Sequence, residues 1–397
     1  MFVDHILQNR KKLDAFENKA IRVPFFVPSI NNDDSQAIKD ALSKPLLTDG
    51  PKLQRFESMF SKFTGAKYAI GVSNGTAALH LSLKAIGVGK GDEIIIPDMT
   101  FVATASAVLM TDATPVLADV EKNDLNISVN SIKKVLTSKT RAIIAVHFAG
   151  NVCEIEKIKH LAKKNNLLLI EDCAHAIGVK YRKKHVGLFG NAGCFSFYPT
   201  KNITTIEGGM VITNSKKIAQ YVTNARNHGI TKSLKQRFSY GKPWDYDIKE
   251  IGYNYRLDEI RSSLGISQLK RIKKLNLLRK NAYNYYNSKL STIKGIEIPK
   301  ILDPNESSSY HLYIIKIKKE YGMSRDKVFD MLLRKGIRTS VHYKPLHKFT
   351  IIKKRSKIIN SLKNSKETYR ELLSLPLYAT ISRQEQDYVI KILKNKK

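Results

Sequence analysis

Between about Pro51 and Thr213, short apolar runs alternate with longer segments whose apolar residues recur at helical spacing. Runs that short, apolar at nearly every position and bounded by turn residues, predict strands buried on both faces. They fall at Tyr68–Val72, Glu93–Ile96, Pro115–Ala118, Ala142–Val146, Leu167–Ile170, Cys194–Phe197 and Met210–Thr213. Helices are expected between most of them. Pro51 is placed to open one that reaches about Phe63, and Asn74-Gly75-Thr76 precedes the small-residue stretch Ala77–Ile86. This alternation predicts an α/β domain. Beyond Arg256 the texture changes. A lysine-rich amphipathic helix is expected over Asp258–Leu290, then a strand over Tyr310–Ile317, a helix over Ser324–Lys335 and a strand near Ile337–Val341. The chain is therefore expected to divide into a large domain over residues 20–265 and a smaller α+β domain over 266–397.

Composition changes this picture little. With 397 residues, 42% of them hydrophobic, the chain can build a sizeable core. No stretch approaches the ~20 apolar residues of a membrane span. The first 19 residues alternate charged and apolar positions and lack the apolar centre of a signal peptide. Cys153, Cys173 and Cys194 are widely spaced and suggest neither a disulfide framework nor a metal site, so a cytoplasmic protein is expected. The net charge of +33 raises the question of a polyanion partner. The basic residues are spread along the chain, however, and the densest clusters, Lys353–Arg355 and Lys394–Lys397, are not interleaved with aromatics. A lysine-decorated surface accounts for the charge better than nucleic acid does.

The candidate chemistry centres on Lys201 and Asp172. Asp172 ends the run Leu-Leu-Leu-Ile-Glu-Asp, which delivers a carboxylate to a strand tip; Lys201 lies in Phe195-Ser-Phe-Tyr-Pro-Thr-Lys. A lysine amine and an aspartate at one crevice are what pyridoxal phosphate requires, the amine as Schiff-base partner and the carboxylate to keep the pyridine nitrogen protonated. Around them, Ser73-Asn74-Gly75-Thr76 offers a tight turn and a helix N-terminus that can cup a phosphate, although alone it is a plain N-cap. Ser196 can add a hydroxyl to the same phosphate. Phe101, just past a strand end, can stack on a flat ring or simply fill a core. His175, three residues after Asp172, can reach the cofactor's phenolic oxygen, and an unperturbed histidine there would make the contact pH-sensitive near neutrality. His147, His228, His342 and His347 show no metal-ligand spacing.

These residues, with Asp49-Gly50-Pro51, Val146-His-Phe-Ala-Gly150, Glu171-Asp-Cys-Ala-His-Ala176, Glu207-Gly-Gly-Met210, Arg226-Asn-His-Gly229, Gly252-Tyr-Asn-Tyr-Arg256 and His342-Tyr-Lys-Pro-Leu-His347, resemble the DegT/DnrJ/EryC1/StrS sugar aminotransferases over nearly the whole chain. The resemblance implies a fold type I architecture, with a mostly parallel central sheet sandwiched by helices. It implies pyridoxal 5'-phosphate on Lys201, Asp172 at the pyridine nitrogen, Gly75, Thr76 and Ser196 at the phosphate, Phe101 on the ring and His175 at its phenolic oxygen. Asn254 would reach the cofactor of a neighbouring subunit, making a homodimer with shared sites. The implied reaction moves an amino group from L-glutamate to a nucleotide-linked keto-sugar, with C4 of a 4-keto-6-deoxy hexose favoured over C3. A lyase or dehydratase on the same fold and a regulatory polyanion-binding protein are the alternatives; retention of Lys201 favours transamination.

Overall fold

The structure, a computed structural model, describes residues 21–232, 236–237, 242–301 and 308–396. The N-terminal segment and the last lysine of the basic tail lie outside them.

Seven strands form one sheet: β1 (Tyr68–Val72), β2 (Glu93–Pro97), β3 (Thr114–Ala118), β4 (Thr140–Val146), β5 (Leu168–Asp172), β8 (Ala192–Ser196) and β9 (Gly209–Thr213), with the small hairpin β6 (Lys180–Tyr181) and β7 (Lys184–His185) set apart. Their order is β1-β9-β8-β5-β4-β2-β3. The pairs from β8 to β3 are parallel; only β9 runs antiparallel to both of its neighbours. The mostly parallel sheet expected from the sequence is present. All five residues of β2 and of β9 are buried, which is why these strands read as continuous apolar runs and not as alternating ones. Helices cover both faces and give two cores, one holding Phe56, Phe60, Phe195 and Phe197, the other Leu79, Leu81, Ile94 and Ile96.

The edge strand β3 is not bare. Lys357, from far along the chain, pairs with it in parallel: Leu117 N–H donates to Lys357 O (2.9 Å) and Lys357 N–H to Pro115 O (2.8 Å).

A second sheet, β10 (Ile296–Glu297), β11 (Tyr313–Ile317) and β12 (Leu372–Leu375), is antiparallel and packs with the helices Ile272–Leu290, Arg325–Arg334 and Arg383–Asn395. Two expectations are corrected here. The single helix over 258–290 is two, Glu259–Lys270 and Ile272–Leu290, separated at Arg271 (φ −103°, ψ −1°). Arg271 donates to Asp34 and Ser29 O, so its turn serves a contact 237 residues away. The strand near Ile337–Val341 is only a pair of isolated bridges, Val23 to Ile337 and Ser340 to Ser374. Ile266, Leu269, Ile272 and Leu275 pack into the core of the large sheet.

Parallel strands end on a common side, and ligands of such sheets bind outside those ends. Asp172 is the last residue of β5 and Ser196 the last of β8. Gly209 opens β9 opposite both Val72 and Ser196, which brings the Ser73–Thr76 turn to the same edge.

Candidate active site

Alternation along β5 sends neighbouring carboxylates to opposite faces. Glu171 turns into the protein, where it accepts from the N–H groups of Gly187 (2.7 Å), Phe189 (2.6 Å) and Gly190 (2.7 Å). His147 completes the set: Cys153 N–H points at its Nδ1 (3.4 Å), so its proton sits on Nε2 and is given to Glu171 (3.1 Å). His147, Glu171 and Cys173 lie close enough to suggest a metal site. The carboxylate is already saturated with donors, and the group acts as a brace that ties the loop before β8 to the strand carrying Asp172. Each buried N–H left unpaired there would cost about 1–3 kcal/mol.

Asp172 turns the other way. It is buried, accepting from Ala174 N–H (3.1 Å) on one oxygen and from Thr104 Oγ1 (3.1 Å) on the other; Thr104 is in turn in contact with Thr100 Oγ1 (3.0 Å). Burial pushes its carboxyl up from the usual range, while these donors and the charge of Lys201 pull it back. Lys201 lines a pocket with Phe25, Phe26, Thr200, His311, His342, Tyr343 and Leu377. Burial lowers its amine to about 8, opposed by Asp172. Asp172 lies near enough for its charge to act on the Lys201 amine, although it is not among the residues that line this pocket.

The Ser73–Thr76 turn opens a helix, as expected. Asn74 caps the helix Gly75–Ala85 by accepting from Ala77 N–H (2.8 Å), leaving the N–H groups of Gly75 and Thr76 without an acceptor among the described residues. A Cβ on Gly75 would stand 2.9 Å from the Cβ of Ser196, so the turn and the serine are in direct contact. Gly209 backs the same turn: a Cβ there would overlap the carbonyl of Asn74. Gly209 therefore packs directly against the cup as well as opening β9. Gly209→Ala is expected to fold but to weaken cofactor retention at least about tenfold, as a misplaced backbone loses one or two charge-assisted hydrogen bonds. Equilibrium dialysis of the cofactor measures this, and unchanged retention would remove the role.

His175 is buried and neutral, its imidazole held well below its ordinary value by burial, with Lys201 and His342 adding to the effect. This corrects the pH-sensitive contact expected near neutrality. Ala149 N–H donates to Nδ1 (3.3 Å), so Nε2 carries the proton and donates to Tyr343 Oη (2.9 Å). Phe101 is 55% exposed with its ring 5.9 Å from that of Tyr343, at the mouth of the crevice and not in a core. Asn254 is the outlier. It is exposed, bridges Asn227 through the backbone, and its side chain bonds to no described residue. It does not line the pocket of Lys201.

Sequence reasoning passed over Thr104, Asn202, His311 and Tyr343. Tyr343 sat in a quoted motif without a role, and His311 inside an expected strand. Their parts depend on contacts to His175 and Asn202 across 168 and 109 residues, which local pattern does not encode.

The donor set fits pyridoxal phosphate: free N–H groups at a helix start for its phosphate, a buried carboxylate lacking a cation for its ring nitrogen, and a depressed lysine amine for its aldehyde. The comparisons agree. Residues 28–394 match the DegT/DnrJ/EryC1/StrS aminotransferase family. The chain is 35% identical over 376 residues to the spore coat polysaccharide biosynthesis protein SpsC of Bacillus subtilis, covering 94% of this chain and 96% of that one. The Helicobacter pylori aminotransferase PseC, involved in the biosynthesis of pseudoaminic acid, superposes with a TM-score of 0.86 at 31% identity, over 94% of this chain and 98% of that one. The putative sugar aminotransferase Spr1654 of Streptococcus pneumoniae, in its PMP form, gives 0.88 at 28% identity, with coverage of 94% and 98%. On this evidence the chain belongs to the DegT/DnrJ/EryC1/StrS family of pyridoxal phosphate-dependent sugar aminotransferases.

Proposed function

We propose that the enzyme moves an amino group from L-glutamate to C4 of a nucleotide-linked 4-keto-6-deoxy hexose, with Lys201 and Asp172 as its catalytic residues. The observation that carries the reading is that buried Asp172, at the end of β5, acts electrostatically on the buried Lys201 amine, near a helix N-terminus with spare N–H groups. In this reading Gly75, Thr76 and Ser196 hold the phosphate, Phe101 covers the ring and the one N–H of His175 turns from Tyr343 Oη to the phenolic oxygen. Pyridoxal phosphate, when bound, supplies an electron-accepting ring for bond-breaking at the amino acid's Cα. Asp172 keeps the ring nitrogen protonated. Lys201 would take the Cα proton as the neutral amine and return it to the carbon across the bridging nitrogen. A lysine at about 8 is roughly a quarter neutral at pH 7.5, whereas one at its ordinary value is ~0.1% neutral.

The working unit is a homodimer. Phe101, Tyr198 and Ile206 expose apolar side chains around the Lys201 loop, and Ile251, 87% exposed, leads into Asn254. A second copy covering these residues would bring its own Asn254, whose side chain bonds to no described residue of its chain, to the phosphate. The cytoplasm suits the free buried thiols of Cys153, Cys173 and Cys194, and no helix among the described residues is long and apolar enough to cross a membrane.

The visible spectrum of the loaded enzyme tests this. L-glutamate is expected to bleach the cofactor band, and one of the GDP-, UDP- or dTDP-linked 4-keto-6-deoxy sugars to restore it. A band that glutamate never bleaches would replace transamination with the lyase reading. Restoration only by a 3-keto sugar would move the amination to C3.

A further inference from the structure

His311, which lines the pocket, lies against His175 with ring centroids 4.4 Å apart and planes tilted by 30°. Both are buried, and in both burial drives the imidazole well below its ordinary value, so both are neutral. Their hydrogen bonds fix opposite tautomers. His175 carries its proton on Nε2, as shown above. For His311 the decision falls to Asn202. The Asn202 amide nitrogen spends its two hydrogens on Asn276 Oδ1 (2.7 Å) and Ser309 O (2.7 Å). Its oxygen can then only accept, and it lies 3.0 Å from His311 Nδ1. The His311 proton is therefore on Nδ1, and Nε2 keeps a lone pair.

That lone pair has no hydrogen-bond partner among the described residues, and His311 lines the same pocket as Lys201. Of the other polar atoms of the pocket wall, Tyr343 Oη is engaged with His175 and His342 Nδ1 with Ser374 Oγ (2.8 Å). The Lys201 amine is a donor with no hydrogen-bond acceptor among the described residues, and Asn202, which sets the tautomer of His311, is its chain neighbour. An unspent acceptor and an unspent donor face one small cavity.

We propose that His311 is a positioning residue for Lys201, its Nε2 accepting an N–H of the lysine whenever that amine is free of the cofactor. The inference rests on Lys201 being the reactive lysine. It gives the amine a fixed resting direction after the cofactor has left it, so that the same nitrogen is aimed when it takes and returns a proton. No bond is made or broken at His311; it supplies an acceptor and keeps its own proton on Nδ1.

Two substitutions separate this role from the ring contact with His175. His311→Phe keeps a ring against His175 and removes the acceptor. His311→Gln removes the ring and can place an amide oxygen where Nε2 stood. An acceptor favours the ammonium form, so its loss lowers the titration midpoint of Lys201. The full chain loaded with pyridoxamine phosphate, in which Lys201 is free, is labelled competitively with acetic anhydride across a pH series and read by peptide mass spectrometry. His311→Phe is expected to lower the Lys201 midpoint by about one pH unit, a hydrogen bond to a charged group, while His311→Gln stays within about 0.3 unit of the parent. Asn202→Leu, which frees the tautomer, is expected to shift it in the same direction. An unchanged midpoint in His311→Phe overturns the proposal, including the case in which only the KM for the sugar rises and Nε2 serves the substrate. A shift in His311→Gln that His311→Phe lacks also overturns it, leaving the ring contact as the sole role. Borohydride reduction of the pyridoxal phosphate form separates the two failures: if another lysine is the one fixed to the cofactor, the assignment of Lys201 falls and takes this inference with it.

Discussion

Lys201→Ala is expected to lose amino transfer by at least about 10⁴-fold and to be no less stable than the parent. The first half follows from role: the substitution removes both the covalent anchor and the general base, and a positioned base alone contributes typically ~10²–10⁴. The second half follows from burial. Lys201 titrates at about 8 in the fold, below its ordinary value, because desolvation opposes its charge. A group whose folded pKa is depressed binds fewer protons in the fold than in the unfolded chain. Below the unfolded value it therefore costs stability, up to about 3 kcal/mol at neutral pH. Alanine removes that cost and gives back part of it through lost contacts of the lysine stem. Turnover with L-glutamate and a thermal melt, taken on the same preparation, check both halves. Retained turnover would sink the assignment of Lys201, and a sharply lowered Tm would show that the charge is better solvated than its surroundings indicate.

The second large effect concerns acid. Burial lowers His185 to about 4 and His342 to about 3, and holds His175 and His311 well below the ordinary value. In each case the unfolded chain takes up a proton first as pH falls. The stability these neutral rings allow is complete above about pH 6.5 and drains as pH drops toward the folded values. By pH 5.5 the loss is about 1 kcal/mol for each of His185 and His342. With His175 and His311 moving the same way, the total takes a large share of a typical margin of ~5–15 kcal/mol. Urea unfolding at pH 7.5, 6.5 and 5.5 is expected to show little change over the first step and a marked fall in midpoint over the second. A flat response across the second step would mean that these rings accept protons without leaving their sites.

The large sheet was legible in the sequence because its strands are buried on both faces, which leaves uninterrupted apolar runs such as Ile94–Ile96 and Val211–Ile212. The Lys201 and Asp172 pairing was legible because each ends or follows such a run. What stayed hidden depends on distant partners. The break at Arg271 answers to Asp34, and Ile337 and Ser340 meet only single partners on other segments. Histidine tautomers are hidden more deeply still, since they are written in the hydrogen bonds of Ala149, Asn202 and Cys153 and in nothing local to the rings.

The pairing of Lys357 with β3 bears on how the protein survives its own synthesis. An outer strand with open N–H and C=O groups invites strand addition from another chain, and β3 is apolar and mostly buried in the finished fold. Residues 114–118 leave the ribosome about 240 residues before the segment that covers them. Until Lys357 arrives, the growing chain carries a sticky border, and its escape from intermolecular stacking depends on chaperones or on speed. Chains truncated before residue 357 should therefore form insoluble aggregates even though every strand of the large sheet is already present in them.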